Sequence, residues 1–571
     1  MIVLRKVDAR IEAELIKEGY TALMARLLSA RGLSSVREAR LKFSLLPHFN
    51  LLKGIKETSQ LLANALMDGK KIVVAADYDA DGATACALAV RGVRAMGGKI
   101  DFVVPYREKE GYGLSPPVVD RAIEKNAEII LTVDNGIASI EGVAYAQSKG
   151  LTVVVTDHHL PGLTIPNCLI VNPNQAGCEF PCKNLAGVGV VFYVLLALRS
   201  ELESRGYFKL KNRPKLSQWL DLVALGTVAD VVKLDHVNRI LVTHGLRLIQ
   251  ANRCNHGIQA LFDAAKRPTA KAGAHDLGFA IGPRVNAAGR LEDITLSIRC
   301  LLAETYEEAY GYALELNVLN YQRRKKEVYM LERANESLSF ALTPGQNSIV
   351  LFSEEFHQGV IGLVASRLKE KHYLPSIVFA KGVDGELKGS GRSISGLHLR
   401  DALDLVSKRA PKLILKFGGH AMAAGLSIQL RDLEKFRSLF EEVVRELIDP
   451  ISLKKVFYTD GKLETEYLNL DAAKQLQQMV WGQGFEAPSF SDHFEIIKQF
   501  QVGRRREHLK AIVRKDQYEF EALIFYCNVM LPRWVKLVYR LVPYQWEEKE
   551  ELQLYVEYWE KALDDNFCHP L

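Results

Sequence analysis

Five aspartates and two histidines carry the strongest chemical signal in this sequence. Asp77, Asp79 and Asp81 stand in DYDADG, Asp134 in VDNG, and Asp157, His158 and His159 in TDHH. Each group directly follows an apolar run that reads as a strand: Ile72–Ala76, Ile129–Val133 and Val153–Val155. In an open parallel sheet the carboxyl ends of the strands line the ligand crevice, so the three groups are expected to converge there. So many carboxylates cannot share a crevice as bare anions. Either their pKa values rise or cations bind between them. Carboxylates with one or two imidazoles suit Mn²⁺, with Mg²⁺ as the alternative. A pair of such ions about 3.5–4 Å apart activates water for in-line attack on phosphate.

Taken singly, each segment has a plainer explanation. DYDADG alone serves equally well as an Asp-rich turn and helix N-cap. It does not make a calcium loop, because the downstream Glu is missing. A lone His pair is more often structural than ligating. Only the shared position at strand ends favours a metal site.

The elements that must hold these residues alternate short apolar runs with helical stretches from about residue 70 to 175. Phe102–Val104 and Leu169–Val171 complete a parallel sheet covered on both faces. Leu185 to Leu198 is apolar but too short to span a bilayer, and reads as a buried helix. Tyr306 to Phe340 reads as one long helix, with Arg323, Arg324, Lys325 and Lys326 at its middle. That basic run reads first as a solvated face and second as a bridge touching phosphates. After Thr343-Pro-Gly a second α/β unit is expected, with strands near Ile349–Phe352 and Ser376–Phe379 around a helix from about Gly359. Val535–Val542 and Leu552–Tyr558 alternate apolar and polar residues, as a small barrel or sandwich does.

Composition bounds the rest. A chain of 571 residues calls for three or more domains, and 48% hydrophobic residues argue against extensive disorder. The net charge of +6, from 74 basic and 68 acidic residues, neither requires nor excludes nucleic acid. Of eight cysteines only Cys178 and Cys182 are close, so no zinc site is expected, and free thiols suit a reducing cytoplasm. The first residues lack the pattern of a signal peptide.

DYDADG, VDNG, TDHH and the downstream ALGTVAD resemble the four motifs of the DHH phosphoesterase superfamily. PYREKEGYGLS, GPRVNAAGRL, HQGVIGLVASRL, SGRSISGLHL and FGGHAMAAG further resemble the bacterial RecJ family of single-strand DNA exonucleases, in order over most of residues 70 to 430. The resemblance implies an N-terminal helical segment at 1–45 and a DHH catalytic domain at 46–265. It implies a GPR segment with the long helix at 266–345, a DHHA1 substrate-binding domain at 346–449, and an OB-like single-strand-binding domain at 450–571. It implies that Asp79, Asp81, Asp134, His158 and Asp230 ligate metal, with Asp134 bridging two ions. Asp77 would be a further ligand or would orient water, and Asp157 and His159 would support the ligands or contact phosphate. Asp221 competes with Asp230 in WLDLVALGTVAD, and Ala75 stands where some superfamily members place a metal-binding His.

Substrate contacts implied in the same way are Arg107 and Tyr112, then Arg284, Asn286, Arg290, Ser390, Arg392 and His420, with glycines that let the backbone approach phosphate. In the C-terminal region Arg504, Arg505, Arg506, Lys510 and Tyr518 mix positive charge with an aromatic face, as single-strand binders do. The implied activity is hydrolysis of single-stranded DNA from the 5′ end to mononucleotides by a monomer, with a helicase and a single-strand-binding protein as partners and no membrane. Two rivals remain: a DHH phosphodiesterase acting on short oligonucleotides or cyclic dinucleotides, and a non-catalytic replication scaffold.

Overall fold

A computed structural model describes residues 1–106, 110, 112–208, 213–341, 345–503, 506–546 and 549–562. The chain forms two compact units. The larger comprises Ile2–Gly289, Asp293–Asn317 and Phe457–Leu571; the smaller comprises Met1, Arg290–Glu292 and Val318–Val456.

The larger unit is built on a five-stranded parallel sheet. Its strands are Lys71–Ala76, Lys99–Val103, Ile129–Val133, Thr152–Thr156 and Leu169–Val171. In space Lys71–Ala76 lies between Lys99–Val103 and Ile129–Val133, and the remaining two follow in chain order. The order therefore reverses between Lys71–Ala76 and Ile129–Val133, which opens a crevice at their carboxyl ends. Val73, Val74, Ile130, Val154 and Val155 are fully buried, as strands covered on both faces require. The helix Ala80–Ala95 is buried nearly all round and rich in Ala and Gly, so Gly187–Ser204 and Leu220–Ala229 pack closely against it. Gly187–Ser204 is the buried helix expected from its apolar run.

The same unit ends in a closed barrel of Phe490–Val502, His508–Lys515, Tyr518–Ile524, Lys549–Lys561 and Trp534–Trp546, in that spatial order. The parallel pairing of Tyr518–Ile524 with Lys549–Lys561 closes it, and alternating residues fill its interior. At the other end of the sequence, beside the expected helices Ala9–Lys17 and Ala22–Ser29, Ile2–Leu4 forms a strand parallel to Phe457–Thr459. Leu23 and Leu27 join the core of the barrel region.

In the smaller unit Ile349–Phe352 and Ser376–Lys381 pair in parallel, with Ile361–His372 as the connecting helix. Glu386–Arg392, Ala423–Gln429 and Ile414–Gly419 extend that sheet antiparallel. The long helix runs Tyr306–Ala341. Arg323 on it is buried and paired with Glu327 at 2.9 Å, while Arg324, Lys325 and Lys326 are exposed, so most of the basic run is a solvated face.

Candidate metal centre

Asp79 ends the loop after Lys71–Ala76 and caps the helix Ala80–Ala95, accepting the Gly82 N–H at 3.0 Å. That capping turns Asp81, one residue into the helix, inward. Its carboxylate accepts the N–H groups of Gly187 at 2.6 Å and Val188 at 2.9 Å, the free donors at the start of Gly187–Ser204. Asp134 follows Ile129–Val133 with φ 62, a left-handed conformation that Asp tolerates better than most residues. A Cβ on Gly187 would fall 2.6 Å from Asp134 Cβ, so only glycine lets the helix start approach this carboxylate. Asp230 is the C-cap of Leu220–Ala229, and Val231 beside it has φ 62, an outlier for a β-branched residue.

These side chains meet around His158. Its Nε2 lies 3.0 Å from Asp134 Oδ1, 3.5 Å from Asp230 Oδ2 and 3.9 Å from Asp81 Oδ2. Asp77, Asp79 and Asp134 form a second cluster close enough to share an ion, and Asp134 with His158 and His159 a third. Although His158 Nε2 stands near both, Asp134 Oδ1 and Asp230 Oδ2 are buried oxygens that accept no hydrogen bond among the described residues. Burial, then the charge of Asp79, holds Asp77 well above the usual carboxylate range and pushes Asp81 up to about 7. Burial, then Asp81 and Asp79, raises Asp134. The same three causes act in the same order on Asp230. Orphaned oxygens among mutually repelling carboxylates fit divalent cations, which supply the missing charge.

Asp157 sits differently. It accepts from Ile137 N–H at 2.9 Å, His158 N–H at 2.7 Å and His159 N–H at 3.0 Å, and lies 2.7 Å from His159 Nδ1. Burial pushes it upward, but the His159 bond and the imidazole charges outweigh that and hold it below its ordinary value. Burial likewise opposes charge on His159, yet Asp157, Asp77 and Asp79 raise it to about 9. Asp157 thus orients His159 instead of facing the ion cluster.

Several supporting groups had no distinct signal in the sequence. Asn174 and Asn172, after the last strand, hold the His158 and His159 carbonyls at 2.6 and 2.9 Å. Asn286 accepts the Ala80 N–H at 2.8 Å, and a Cβ on Gly289 would fall 2.0 Å from the Tyr78 carbonyl. The helix Gly282–Leu291 therefore braces the DYDADG loop, and Asn286 has a role there besides the expected substrate contact. Asp221 accepts the Asn255 N–H at 2.5 Å and belongs to none of the ion clusters among the described residues, whereas Asp230 belongs to one. Ala75 is buried in its strand.

Among the expected substrate contacts, Tyr112 donates to the Asp134 carbonyl at 3.0 Å and lies beside His159. Arg284 bonds Asn317 at 3.0 Å and the Ala280 carbonyl at 2.6 Å. Arg107, Arg504 and Arg505 lie outside the described residues. Within the smaller unit Arg290 donates to Gly359 O at 3.3 Å. Arg392 donates to Ser390 Oγ at 3.0 Å, close to the start of Ile361–His372, where Gly362 leaves room for both. His420 is exposed after Gly419. On the barrel, Lys510 is paired with Glu521 at 2.6 Å, while Arg506 and Tyr518 are exposed. Arg514 and Lys515 meet Glu519 and Asp492, each at 2.7 Å, so much of the positive charge in this stretch is already compensated.

Comparison with known proteins covers nearly the whole chain. The profile of the DHH family, N-terminal domain, matches residues 71–227, the DHHA1 domain 345–446, and the RecJ OB domain 459–558. The single-stranded-DNA-specific exonuclease RecJ of Salmonella typhimurium is 46% identical over 525 residues, 89% of each chain. That of Dickeya dadantii is 43% identical over 581 residues, covering 98% of this chain and 99% of its own. Among solved structures, RecJ from Thermus thermophilus in complex with Mn²⁺ superposes with a TM-score of 0.83 at 28% identity, covering 98% of this chain and 79% of that one. Its Mg²⁺ complex gives 0.77 at 27%, covering 98% and 78%.

Proposed function

This chain belongs to the RecJ family of single-stranded-DNA-specific exonucleases, and from that premise we propose that it hydrolyses single-stranded DNA from the 5′ end to mononucleotides, in DNA repair and recombination. The observation that carries the reading is the convergence of Asp81, Asp134 and Asp230 on His158 Nε2, with two buried carboxylate oxygens that accept no hydrogen bond among the described residues. Asp79, Asp81, Asp134, His158 and Asp230 would hold two divalent ions, Mn²⁺ in preference to Mg²⁺. Such ions, when bound, polarise a phosphate and acidify water.

The protein's own groups supply the remainder. Asp81 is locked by two backbone N–H groups, so its carboxylate needs no reorganisation when substrate arrives. Asp157 holds His159 through its Nδ1, which suits the imidazole to a phosphate oxygen, and Asp77 would be a further ligand or would orient water. Ser390 and Arg392 offer a hydroxyl and a guanidinium for the terminal phosphate, with Arg107, Tyr112, Arg284, Asn286, Arg290 and His420 as further strand contacts. Arg504, Arg505, Arg506, Lys510 and Tyr518 would touch the strand farther along. The same reading carries the domain limits given above, a monomer in the cytoplasm, and a helicase and a single-strand-binding protein as sources of exposed strand.

The test is a Mn²⁺-dependent assay on labelled single strands, duplex and dinucleotide, run with wild type and Asp134→Asn. Asn keeps the shape and tolerates the left-handed backbone but removes the charge. Single strands should be degraded stepwise from the 5′ end, duplex spared, and the variant reduced by more than about a hundredfold with strand binding retained. Preference for the dinucleotide, or a variant within tenfold of wild type, overturns the reading.

A further inference from the structure

Away from the acidic crevice, the larger unit holds a cavity of about 680 Å³. Its walls come from the segment after the N-terminal helices, the helix His236–Gln250 and the approach to the barrel. One side is apolar and aromatic: Tyr20, Phe43, Met479 and Phe485. The other is cationic: Lys42, Arg239 and Arg247. Arg239 is only 3% exposed, with its guanidinium stacked 4.0 Å over Phe485. It donates to the Glu38 carbonyl at 3.0 Å, its Nε has no hydrogen-bond partner, and no carboxylate pairs with it among the described residues. Thr243 Oγ1, also on the lining, is buried without a hydrogen-bond partner among the described residues. Lys42 and Arg247 are exposed at the rim and likewise have no ion pair among the described residues. Arg40, also on the lining, has its charge met by Glu18.

A buried guanidinium without a counter-charge is costly, since burial disfavours the charged form. Burial indeed lowers Arg239 to about 10, although Glu38 and Asp235 pull the other way. An anion in the cavity removes that cost. The volume is far larger than inorganic phosphate needs and lies in the range of small-molecule sites. Aromatic walls beside an arginine suit a planar base, and the cationic rim suits a phosphate. We propose that this cavity is a nucleotide site distinct from the metal centre, taking a nucleoside monophosphate with its base against Tyr20 and Phe43 and its phosphate toward Arg239, Lys42 and Arg247.

That ligand is the product class of the proposed reaction; only its source, not the site, rests on that reading. The helix His236–Gln250 packs against Leu220–Ala229, whose C-cap is Asp230, so an occupant would sit one helix away from the metal centre.

The experiment is calorimetric titration of the full-length protein in chelator, which separates this site from the metal-dependent one. Deoxyadenosine monophosphate, inorganic phosphate and deoxyadenosine are the probes. The nucleotide should bind one to one, and at least tenfold more tightly than either fragment. Arg239→Gln and the rim double variant Lys42→Ala/Arg247→Ala should each weaken it tenfold or more, while Asp134→Asn leaves it unchanged. The rim variant guards against misfolding of the buried one, and a thermal melt confirms that both are folded. Absence of binding, equal affinity for inorganic phosphate, indifference to the rim variant, or loss with Asp134→Asn would each overturn the proposal. None of these outcomes depends on whether the exonuclease assay succeeds.

Discussion

Single charges decide how the metal centre responds to pH. Asp81 is raised from an ordinary carboxylate value to about 7, and Asp77, Asp134 and Asp230 are raised too. A carboxyl whose folded pKa lies above its unfolded one binds more protons in the folded state. The metal-free protein therefore loses stability as pH rises from about 4 toward 7. Divalent ions compete with those protons and are held more tightly as pH rises. Mn²⁺ at millimolar concentration should raise the melting temperature by at least about 3 °C at pH 8 and by less than about 1 °C at pH 5. Equal rises at both values would mean that the carboxylates are not the ligands. Arg392 makes a separate prediction at this scale. Its guanidinium is held by Ser390 Oγ and the Gly391 carbonyl beside the start of a helix, an arrangement suited to a terminal phosphate. Arg392→Ala should slow degradation of a 5′-phosphorylated strand about tenfold more than that of a 5′-hydroxyl strand. Equal losses on both strands would move Arg392 to another phosphate or to support of the fold.

At the scale of elements, glycine spacing sets how close the helices come to the acidic loops. Gly187→Ala would thrust a methyl group against Asp134 while removing no ligand. Activity in Mn²⁺ should fall at least about tenfold. Gly311 lies in the long helix with open space where a Cβ would go, so Gly311→Ala should instead stabilise by about 0.5–1 kcal/mol and leave activity alone. A Gly187→Ala protein of normal activity would show that the helix start is free to shift. These elements also mark what the sequence made legible. The strands before Asp77, Asp134 and Asp157 were visible because fully buried strands read as continuous Val and Ile runs. The long helix was visible by its period, and the barrel strands by alternation. Asp230 was not, since a helix C-cap carries no periodic signal; only the motif resemblance pointed to it. The left-handed backbone of Asp134, the bracing by Asn286 and the amides on Asp81 were equally invisible, because each depends on contacts tens to hundreds of residues apart in the chain. The pairing of Ile2–Leu4 with Phe457–Thr459 is the extreme case: three residues have no local pattern that names a partner.

Across the whole molecule that pairing changes how the barrel's role must be tested. Removing everything after about residue 450 would look like a clean way to separate chemistry from strand binding, since every expected metal ligand lies before residue 231. The structure argues otherwise. Arg31 and Asp460 form a buried two-pronged ion pair, with Nη2 and Oδ2 2.9 Å apart. Leu23 and Leu27 pack into the core of the barrel region, and Ile2–Leu4 would lose its partner strand. Stripping one member from a buried pair costs about 3–5 kcal/mol, before the exposed leucines are counted. The truncated chain should therefore melt at least about 5 °C lower than the intact one, and its lost activity would say nothing about DNA. Point changes on the barrel surface avoid this. Tyr526 is 85% exposed and Tyr518 52%, so neither supports the core. If they stack on bases, Tyr518→Ala/Tyr526→Ala should weaken long single strands by about 1–3 kcal/mol per lost base contact, with short strands, cleavage of short substrates and the melting temperature unchanged. The salt dependence should also hold, because stacking releases no counterions, whereas each lost phosphate contact would flatten the log–log slope by about 0.7. Binding of long and short strands across a salt series distinguishes these cases. Unchanged affinity for long strands would remove base stacking at these tyrosines from the barrel's role, and a flattened slope with unchanged stability would assign that face to phosphates instead.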